Sequence, residues 1–313
     1  MLRPGYYLAV NILTLYPMQG SEMRLKLFLS AILASFVGLG ASSASAQTVN
    51  LVYANPFAKT HVQYGVLADE WIAEIRKETA GRVVIRHVPG GALLKLENML
   101  EGLRGGVADI GVTNVSNFAG QLPIASTLAG VADINYGNKV DTVGLSLITL
   151  KLLEKFPQYR KDFDDLGLRP AAWIPTPTFA VITRAPVAKL DDFKGKKIRA
   201  FGTGFPRILT AAGATPLAIS AGEVYTSLQS GVIDGSITDP PNMMSSRWYE
   251  QAKHVITTGP GAGAQTMAIG VAYIFNANSW NKISKQDQAI IEGVNAKFTL
   301  AAGKRMQAAG EQA

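Results

Sequence analysis

The stretch "KIRAFGTG", residues 197–204, joins a short apolar strand to a glycine-rich turn. Side chains alternate between the two faces of a strand, so Arg199 lies opposite Ile198 if Ile198 points into the core. Arg199 then lies near the carboxyl end of its strand. Ligands of open α/β sheets bind beyond the carboxyl ends of the strands, which makes Arg199 the first candidate for a ligand-binding residue.

The turn after this strand favours an anion but does not decide whether Arg199 binds a ligand. Gly202 and Gly204 allow the backbone to turn tightly into a helix whose first amide groups favour negative charge. A guanidinium also matches a carboxylate through two parallel hydrogen bonds. These local features are equally compatible with an exposed Arg199 that pairs with Asp191 or Asp192.

Strand and helix patterns alternate along most of the chain. Upstream, the order of strand, helix, strand, helix and strand is found at 48–56, 60–79, 81–91, 95–104 and 107–116. Downstream, the same order recurs at 197–201, 205–212, 213–219, 221–230 and 231–238. Such alternation favours right-handed crossovers and a largely parallel sheet in each part. The sequence therefore predicts an α/β fold with two lobes.

The two lobes are predicted to be discontinuous in sequence. We assign residues 47–173 and 265–300 to the first lobe, and residues 174–264 and 301–313 to the second. No long flexible linker separates them, and the late stretch 261–280 could supply strands that return to the first lobe. Ordered segments that cross between lobes indicate a hinged molecule.

The start of the chain has the layout of a targeting segment. Residues 23–46 place Arg24 and Lys26 before an uncharged apolar run and small residues before Gln47, as in a secretory signal peptide. Residues 1–22 are then an upstream extension. Because the chain has no cysteine for a lipid anchor, we expect a free, soluble protein in the periplasm.

The end of the chain is a long helical pattern that begins at Ser284. It continues nearly to Ala313 with no terminating turn and no following element. We therefore expect the C-terminal region to be truncated.

Composition and motifs exclude several classes of function. Without residues 1–46 the net charge is +5, from 27 Lys and Arg against 22 Asp and Glu, and the basic residues are spread out, so we expect no nucleic-acid partner. His61, His87 and His254 are too far apart for a local metal site and are expected in surface or packing roles. Glycines at 259–263 have the wrong spacing for a dinucleotide fingerprint. We expect no metal, no cofactor and no catalytic residue. The enzyme alternative is a periplasmic oxidoreductase that uses the glycine-rich loop 259–263.

Four segments, taken together and in order, resemble the extracytoplasmic solute-binding subunits of TRAP (tripartite ATP-independent periplasmic) transporters. They are "GRVVIRHVPGGALLKLENMLEGLRGGVADIGVTN", "KLDDFKGKKIRAFGTG", "AAGATPLAISAGEVYTSLQSGVIDG" and "DQAIIEG". The resemblance extends from about Thr48 to the end of the chain. It implies a two-lobed, type II-like periplasmic binding protein that closes on a small organic acid and catalyses no reaction. It also implies delivery to a small and a large membrane subunit, and a monomer is the simplest form.

The same resemblance implies that Arg199 forms a salt bridge with the ligand carboxylate. Family members that bind sugar acids or dicarboxylates often have a second arginine some twenty residues earlier. Here Trp173, Thr178 and Phe179 occupy that region, which favours a monocarboxylate with an apolar or aromatic body.

Further candidates follow from the family pattern and from position. The polar residue that the family has after an Asp-Gly pair falls on Thr238, beside Asp239. Asp239 could accept a hydrogen bond from a ligand hydroxyl, pair with a ligand ammonium, or cap a helix. The first lobe offers four candidates by position: Asn114, Ser116, Tyr53 and Phe57.

The predicted function is capture of a small organic acid for a TRAP transporter. Two alternatives remain open within the class of binding proteins. One is a protein for an amine or hydroxylated ligand anchored by Asp239, and the other is a sensor component that presents its ligand to a membrane receptor.

Overall fold

Two five-stranded sheets, each packed against helices, make up the part of the chain that the structure describes. This part comprises residues 48–131, 142–176, 179–202, 204–257 and 268–312 of a computed structural model. The predicted signal peptide, the upstream extension and the glycines at 259–263 lie outside it. The α/β fold class is confirmed.

The first sheet combines early strands of the chain with one late strand. Its strands are β1 (Val49–Ala54), β2 (Val83–Val88), β3 (Ile110–Asn114), β4 (Leu168–Thr176) and β10 (Ala268–Asn276), in the order β2-β1-β3-β10-β4. β1 is parallel to β2 and β3, whereas β10 is antiparallel to β3 and β4. The late strand therefore returns between two earlier ones.

The second sheet is built in the same way from the middle of the chain. Its strands are β5 (Ala180–Thr183), β6 (Lys197–Arg199), β7 (Thr215–Leu217), β8 (Gly235–Thr238) and β9 (His254–Ile256), in the order β7-β6-β8-β5-β9. β6 is parallel to β7 and β8, and β5 is antiparallel to β8 and β9. Ile198 is fully buried in the core of this lobe, and Arg199 ends its strand.

Helices cover both sheets. The described α-helices are α1 (Leu67–Glu78), α2 (Met99–Arg104), α3 (Pro123–Val131), α4 (Thr142–Lys155), α5 (Gln158–Asp164), α6 (Gly204–Ala211), α7 (Val224–Ser230), α8 (Pro240–Ser245), α9 (Ala277–Asn281) and α10 (Lys285–Gln312). Among the residues described, no helix combines the length and the apolar character needed to cross a membrane.

Helix α1 shows how the sequence forms the core of the first lobe. Leu67, Trp71 and Ile75 recur one turn apart and are buried against the first sheet. Burial of side chains of this size stabilises the fold by about 1.5–3 kcal/mol each. The indole N–H of Trp71 also donates to Oδ1 of Asn295 on α10 at 2.9 Å, so the last helix is fixed to the first.

Helix α10 corrects one of the predicted lobe boundaries. The hydroxyl of Ser284 accepts a hydrogen bond from the backbone N–H of Asp287, and so caps the helix. Near the other end, Ala302 and Met306 are fully buried in the core of the first lobe. The described part of 301–313 therefore belongs to the first lobe, because the helix continues along the same core.

Candidate functional site

A small cavity lies where strands of both lobes end. Its walls include Asn114, Thr176, Arg199 and Thr238, which are the last residues of β3, β4, β6 and β8. The cavity has a volume of about 50 Å³. Because the carboxyl ends of strands are the usual position of ligands in α/β proteins, this cavity is the candidate site.

A second cavity of about 640 Å³ adjoins the first. Arg199, Phe201 and Asn117 are among the residues that line both. Arg199 therefore lies at the boundary between a small inner cavity and a larger outer one.

Arg199 is a buried cation. Only 6% of the residue is exposed, and among the described residues no carboxylate forms an ion pair with it. Nε donates to the carbonyl oxygen of Ile219 at 3.1 Å, one Nη donates to that of Ile237 at 3.4 Å, and the guanidinium lies 4.8 Å from the ring centroid of Phe201. Burial lowers the pKa of Arg199 to about 10, so it stays charged at neutral pH. A guanidinium has five N–H donors, so donors remain for a ligand.

The alternative of an exposed Arg199 that pairs with a nearby aspartate is wrong. Asp191 pairs with Lys194 at 2.8 Å. Asp192 accepts hydrogen bonds from two backbone N–H groups of the preceding turn, which lowers the pKa of this carboxyl. Both aspartates are exposed or half-exposed in that turn, whereas the side chain of Arg199 is enclosed.

Asp239 caps helix α8 and also lines the cavity. Its Oδ1 accepts from the backbone N–H of Asn242 at 2.9 Å, and Pro240 occupies the first helical position. Burial raises the pKa of Asp239 to about 6, against the lowering effect of backbone N–H groups. A buried carboxyl in the cavity wall can accept a hydrogen bond from a ligand, so the cap does not exclude a binding role.

His61 contributes a polar group from the first lobe. The residue is only 4% exposed, and its Nε2 lies 2.9 Å from Oδ1 of Asn242 in the second lobe. Its Nδ1 is buried and has no hydrogen-bond partner. Burial lowers the pKa of His61 to about 4, which leaves the imidazole neutral at neutral pH.

Aromatic rings from both lobes surround these polar groups. Phe57, His61 and Tyr64 form one cluster, with ring centroids 4.3 to 4.8 Å apart. In the second lobe Phe179 and Phe201 meet at 5.3 Å in an edge-to-face arrangement. All five rings line the inner cavity, which is therefore suited to a ligand with a flat or apolar body.

The pKa of Tyr64 is influenced by two charged residues of the second lobe, Arg199 and Asp239. Burial raises the pKa of its hydroxyl, Asp239 raises it further, and Arg199 lowers it. The hydroxyl stays protonated at neutral pH. Tyr64, Arg199 and Asp239 all line the inner cavity.

The structure brings most of the predicted residues together. Six of them line the inner cavity: Arg199, Thr238, Asp239, Phe179, Asn114 and Phe57. Ser116 lines the outer cavity, and its hydroxyl donates to Oδ1 of Asn114 at 2.6 Å. Thr178 lies outside the described residues.

Two predicted residues lie in the protein core instead of the cavity wall. Trp173 is 1% exposed and packs against Tyr159 and Phe163, because it points to the face of β4 opposite Thr176. Tyr53 is fully buried, and its hydroxyl donates to the backbone carbonyl of Tyr64 at 2.9 Å. Neither can touch a ligand in this arrangement, although Tyr53 supports the segment that carries Tyr64.

Several cavity residues are absent from the sequence prediction. They include His61, Gln63, Tyr64, Thr176 and Asn242. His61, expected in a surface or packing role, packs against Phe57 and Tyr64 and also lines the cavity. For His61, Gln63 and Tyr64 the signal in the sequence was their polar character at the start of the predicted helix 60–79.

One further groove of the described molecule is less suited to a polar ligand. A groove of about 570 Å³ is lined by residues of α3, α4 and α5 and by Phe156 between the last two, with no charged side chain among them. In the described ranges, no cluster of three or more His, Asp or Glu side chains could hold a metal ion.

Comparison with known proteins places the chain in a family. The model for DctP, described as bacterial extracellular solute-binding protein, family 7, matches residues 53–313. The chain belongs to this family. The resemblance to TRAP solute-binding subunits is thereby confirmed, and the protein is an extracytoplasmic solute receptor.

Individual relatives of this solute receptor agree with that assignment. It is 28% identical over 291 residues to a solute-binding protein of Albidiferax ferrireducens, a match that covers 88% of this chain and 82% of the relative. A Bordetella pertussis extracytoplasmic solute receptor that binds pyroglutamic acid has a TM-score of 0.72 at 20% identity, covering 84% of this chain and 82% of that one. A Rhodoferax ferrireducens TRAP solute-binding protein in complex with copurified benzoate has a TM-score of 0.73 at 19% identity, covering 85% and 80%. These two structures establish a shared fold.

Proposed function

We propose that this receptor binds a small monocarboxylate through Arg199 and delivers it, chemically unchanged, to the small and large membrane subunits of a TRAP transporter. The observation that carries the proposal is the burial of Arg199 at the cavity with no carboxylate partner among the described residues. A buried charge that lacks an opposite charge costs several kcal/mol. A ligand carboxylate would offset this cost.

The charges of the inner cavity favour one carboxylate over two. Arg199 is the sole lysine or arginine among the described residues that line it. Asp239 lines the same wall and would repel a second carboxylate when ionised. The ligands of the two similar receptors named above, pyroglutamic acid and benzoate, each have one carboxyl group.

The size of the cavity indicates how the ligand would be accommodated. A cavity of about 50 Å³ has room for only a few water molecules. An acid bound to Arg199 would therefore extend into the adjoining cavity, or the lobes would separate to admit it. Aromatic side chains around the inner cavity support a flat or apolar ligand body.

The place of action follows from the family and from the start of the sequence. Receptors of this family are extracytoplasmic. We propose that residues 23–46 direct export and that the protein acts as a free monomer in the periplasm.

A second candidate function rests on Asp239. This carboxyl is buried in the same cavity wall, so it could anchor an amine or a hydroxylated ligand that has no carboxylate. The two candidates differ in which side chain the ligand requires.

A thermal-shift panel tests the two candidates together. The purified protein, Arg199→Ala and Asp239→Asn are melted with monocarboxylates, dicarboxylates, amines and polyols. A ligand at about 100 times its Kd adds about 2.7 kcal/mol of stability. We expect monocarboxylates to raise the Tm of the wild type and not that of Arg199→Ala. Stabilisation by amines alone, abolished in Asp239→Asn, would establish the second candidate instead.

The matched control for this panel is Lys197→Ala. Lys197 lies two residues before Arg199 on β6 and is exposed, so its removal changes the net charge equally without touching the cavity. A ligand response that is lost equally in Lys197→Ala and Arg199→Ala would contradict the proposed role of Arg199.

A further inference from the structure

We infer that the ligand has, besides its carboxylate, an N–H or O–H group that donates to Nδ1 of His61. His61 would then select hydroxy acids and lactam acids over plain carboxylic acids of the same size. This inference deepens the proposed function and rests on it.

The position of the His61 proton follows from a chain of hydrogen bonds in the second lobe. The hydroxyl of Thr238 donates to the backbone carbonyl of Asp239 at 3.2 Å, so its oxygen can accept from Nδ2 of Asn242 at 3.1 Å. Oδ1 of Asn242 therefore faces the other way, where it accepts from the hydroxyl of Ser246 at 3.1 Å and from Nε2 of His61 at 2.9 Å. Because an amide oxygen only accepts, this orientation of the Asn242 amide assigns the proton of neutral His61 to Nε2.

The other ring nitrogen of His61 is consequently an acceptor that lacks a donor. In a neutral imidazole with its proton on Nε2, Nδ1 has a free lone pair. This atom is buried and has no partner, although buried polar groups are nearly always hydrogen-bonded. Since His61 lines the inner cavity, a group on the ligand can supply the missing donor.

A second unpaired side chain in the same wall restricts which chemical groups the ligand can present there. Nε2 of Gln63 is a buried amide donor with no partner, and Gln63 lines the inner cavity together with His61. A hydroxyl both donates and accepts, and so does a lactam through its N–H and carbonyl. Either group could satisfy both side chains, which a hydrocarbon or an ether oxygen could not.

The size of the inner cavity places this group close to the carboxylate. His61 and Arg199 line one cavity of about 50 Å³ from opposite lobes. Phe57 and Tyr64 hold the imidazole, with ring centroids 4.8 and 4.7 Å from it. A ligand whose carboxylate binds Arg199 therefore brings its neighbouring atoms toward His61, as in α-hydroxy acids and cyclic amide acids.

Matched pairs of acids test the inference on the wild-type protein. The pairs are lactate and propionate, mandelate and phenylacetate, and pyroglutamate and its lactone analogue 5-oxotetrahydrofuran-2-carboxylate. Members of a pair share one carboxylate and nearly the same shape and differ in the donor. Isothermal titration calorimetry should give a Kd at least tenfold lower for the donor-bearing member of each pair that binds.

Two variants of His61 test whether Nδ1 causes the preference for the donor-bearing acid of each pair. Glutamine can place an amide N–H at the position of Nε2 and so keep the hydrogen bond to Asn242. It has no acceptor at the position of Nδ1. Asparagine can place its amide oxygen near the position of Nδ1. We expect His61→Gln to reduce the preference within a pair to less than threefold, and His61→Asn to retain more of it.

The outcomes separate this inference from the function on which it rests. Equal affinity for both members of the pairs, or a preference that His61→Gln leaves unchanged, would overturn the inference alone. If the wild type binds no acid of the three pairs, or binds them as well after Arg199→Ala, the proposed function fails and this inference fails with it.

Discussion

Nε2 of His61 lies 2.9 Å from Oδ1 of Asn242, although the two residues are 181 positions apart in the chain. The bond connects the segment after β1 in the first lobe to helix α8 in the second. It is buried in the wall of the inner cavity. The same amide therefore contributes to the contact between the lobes and fixes the tautomer of a cavity histidine.

Removal of this amide should destabilise the protein. In Asn242→Ala, the Nε2–H of His61 and the hydroxyls of Thr238 and Ser246 all lose a buried partner. Leaving a buried polar group unpaired costs about 1–3 kcal/mol, so we expect a loss of at least that size in urea unfolding at neutral pH. Asn281→Ala is the control, because Asn281 is exposed on α9. Equal unfolding midpoints for the two variants would show that the interlobe bond contributes nothing.

Arg199 should not be replaceable by lysine. A lysine keeps the positive charge but has no planar fork of donors, and it cannot reproduce the hydrogen bonds to the carbonyls of Ile219 and Ile237. Truncating one partner of a buried charged pair costs about 2–5 kcal/mol of binding free energy. For Arg199→Lys we expect a smaller but clear loss, between the wild type and Arg199→Ala, in calorimetric titration with the tightest acid found. Wild-type affinity in Arg199→Lys would mean that charge alone, without the fork, binds the acid.

The buried carboxyl of Asp239 should make stability depend on pH. Its pKa in the folded protein is raised from 3.8 to about 6 by burial, so between these values the folded state binds more protons than the unfolded state. Stability from this group is therefore lost as the pH rises from about 4 to about 6, by at most about 3 kcal/mol at 1.36 kcal/mol per pKa unit. We expect Asp239→Asn, which can still cap α8, to gain stability relative to the wild type across this range. Parallel profiles of unfolding free energy against pH would contradict a raised pKa.

His61 should change the pH dependence of stability in the opposite direction, over an overlapping pH range. Burial lowers its pKa from 6.5 to about 4, so the unfolded state binds more protons between these values. Stability from this group is lost as the pH falls from about 6.5 to about 4. We expect the wild type to lose up to about 3 kcal/mol relative to His61→Gln over that range. A difference between the two proteins that stays constant with pH would show that His61 keeps its ordinary pKa when folded.

Alternation along a strand predicts the place of Arg199, whereas Trp173 was proposed from its position in the family pattern, which does not say which face of its strand it occupies. Ile198 and Arg199 occupy the last two positions of a short strand, so burial of one determines the position of the other. β4 has nine residues, and the face that meets the cavity is set by Thr176, where the strand ends. Ile174 shares that face, and Trp173 points to the opposite core.

Contacts between distant segments lie beyond such local rules. Asp239 is recognisable as a helix cap because Pro240 follows it. The pairing of His61 with Asn242 depends on how two lobes meet, which no periodicity of 2 or 3.6 residues encodes. Local pattern therefore predicts Arg199 and the cap at Asp239, and it does not predict His61 and Asn242, whose places are fixed by contact between the lobes.

Gly235 at the start of β8 should tolerate no side chain. A Cβ at this position would lie 2.3 Å from the carbonyl oxygen of Ile182 and 2.9 Å from Cγ2 of Thr183 on the neighbouring strand β5. β8 is held between β5 and β6, so neither neighbour can move away without loss of ladder hydrogen bonds. Overpacking of this kind costs about 1–3 kcal/mol and occasionally more. Because β8 ends at the cavity, we expect Gly235→Ala to weaken binding as well.

The control is Gly222→Ala, at a glycine whose added Cβ meets nothing within 4 Å. Its backbone needs no positive φ, so alanine should leave stability unchanged or raise it by about 0.4–1 kcal/mol through the entropy of the unfolded chain. Urea unfolding of both variants measures the difference. If Gly235→Ala unfolds at the same urea concentration as Gly222→Ala, then β8 can shift to accept a methyl group, and the strand that carries Thr238 into the cavity is less rigidly held than its packing indicates.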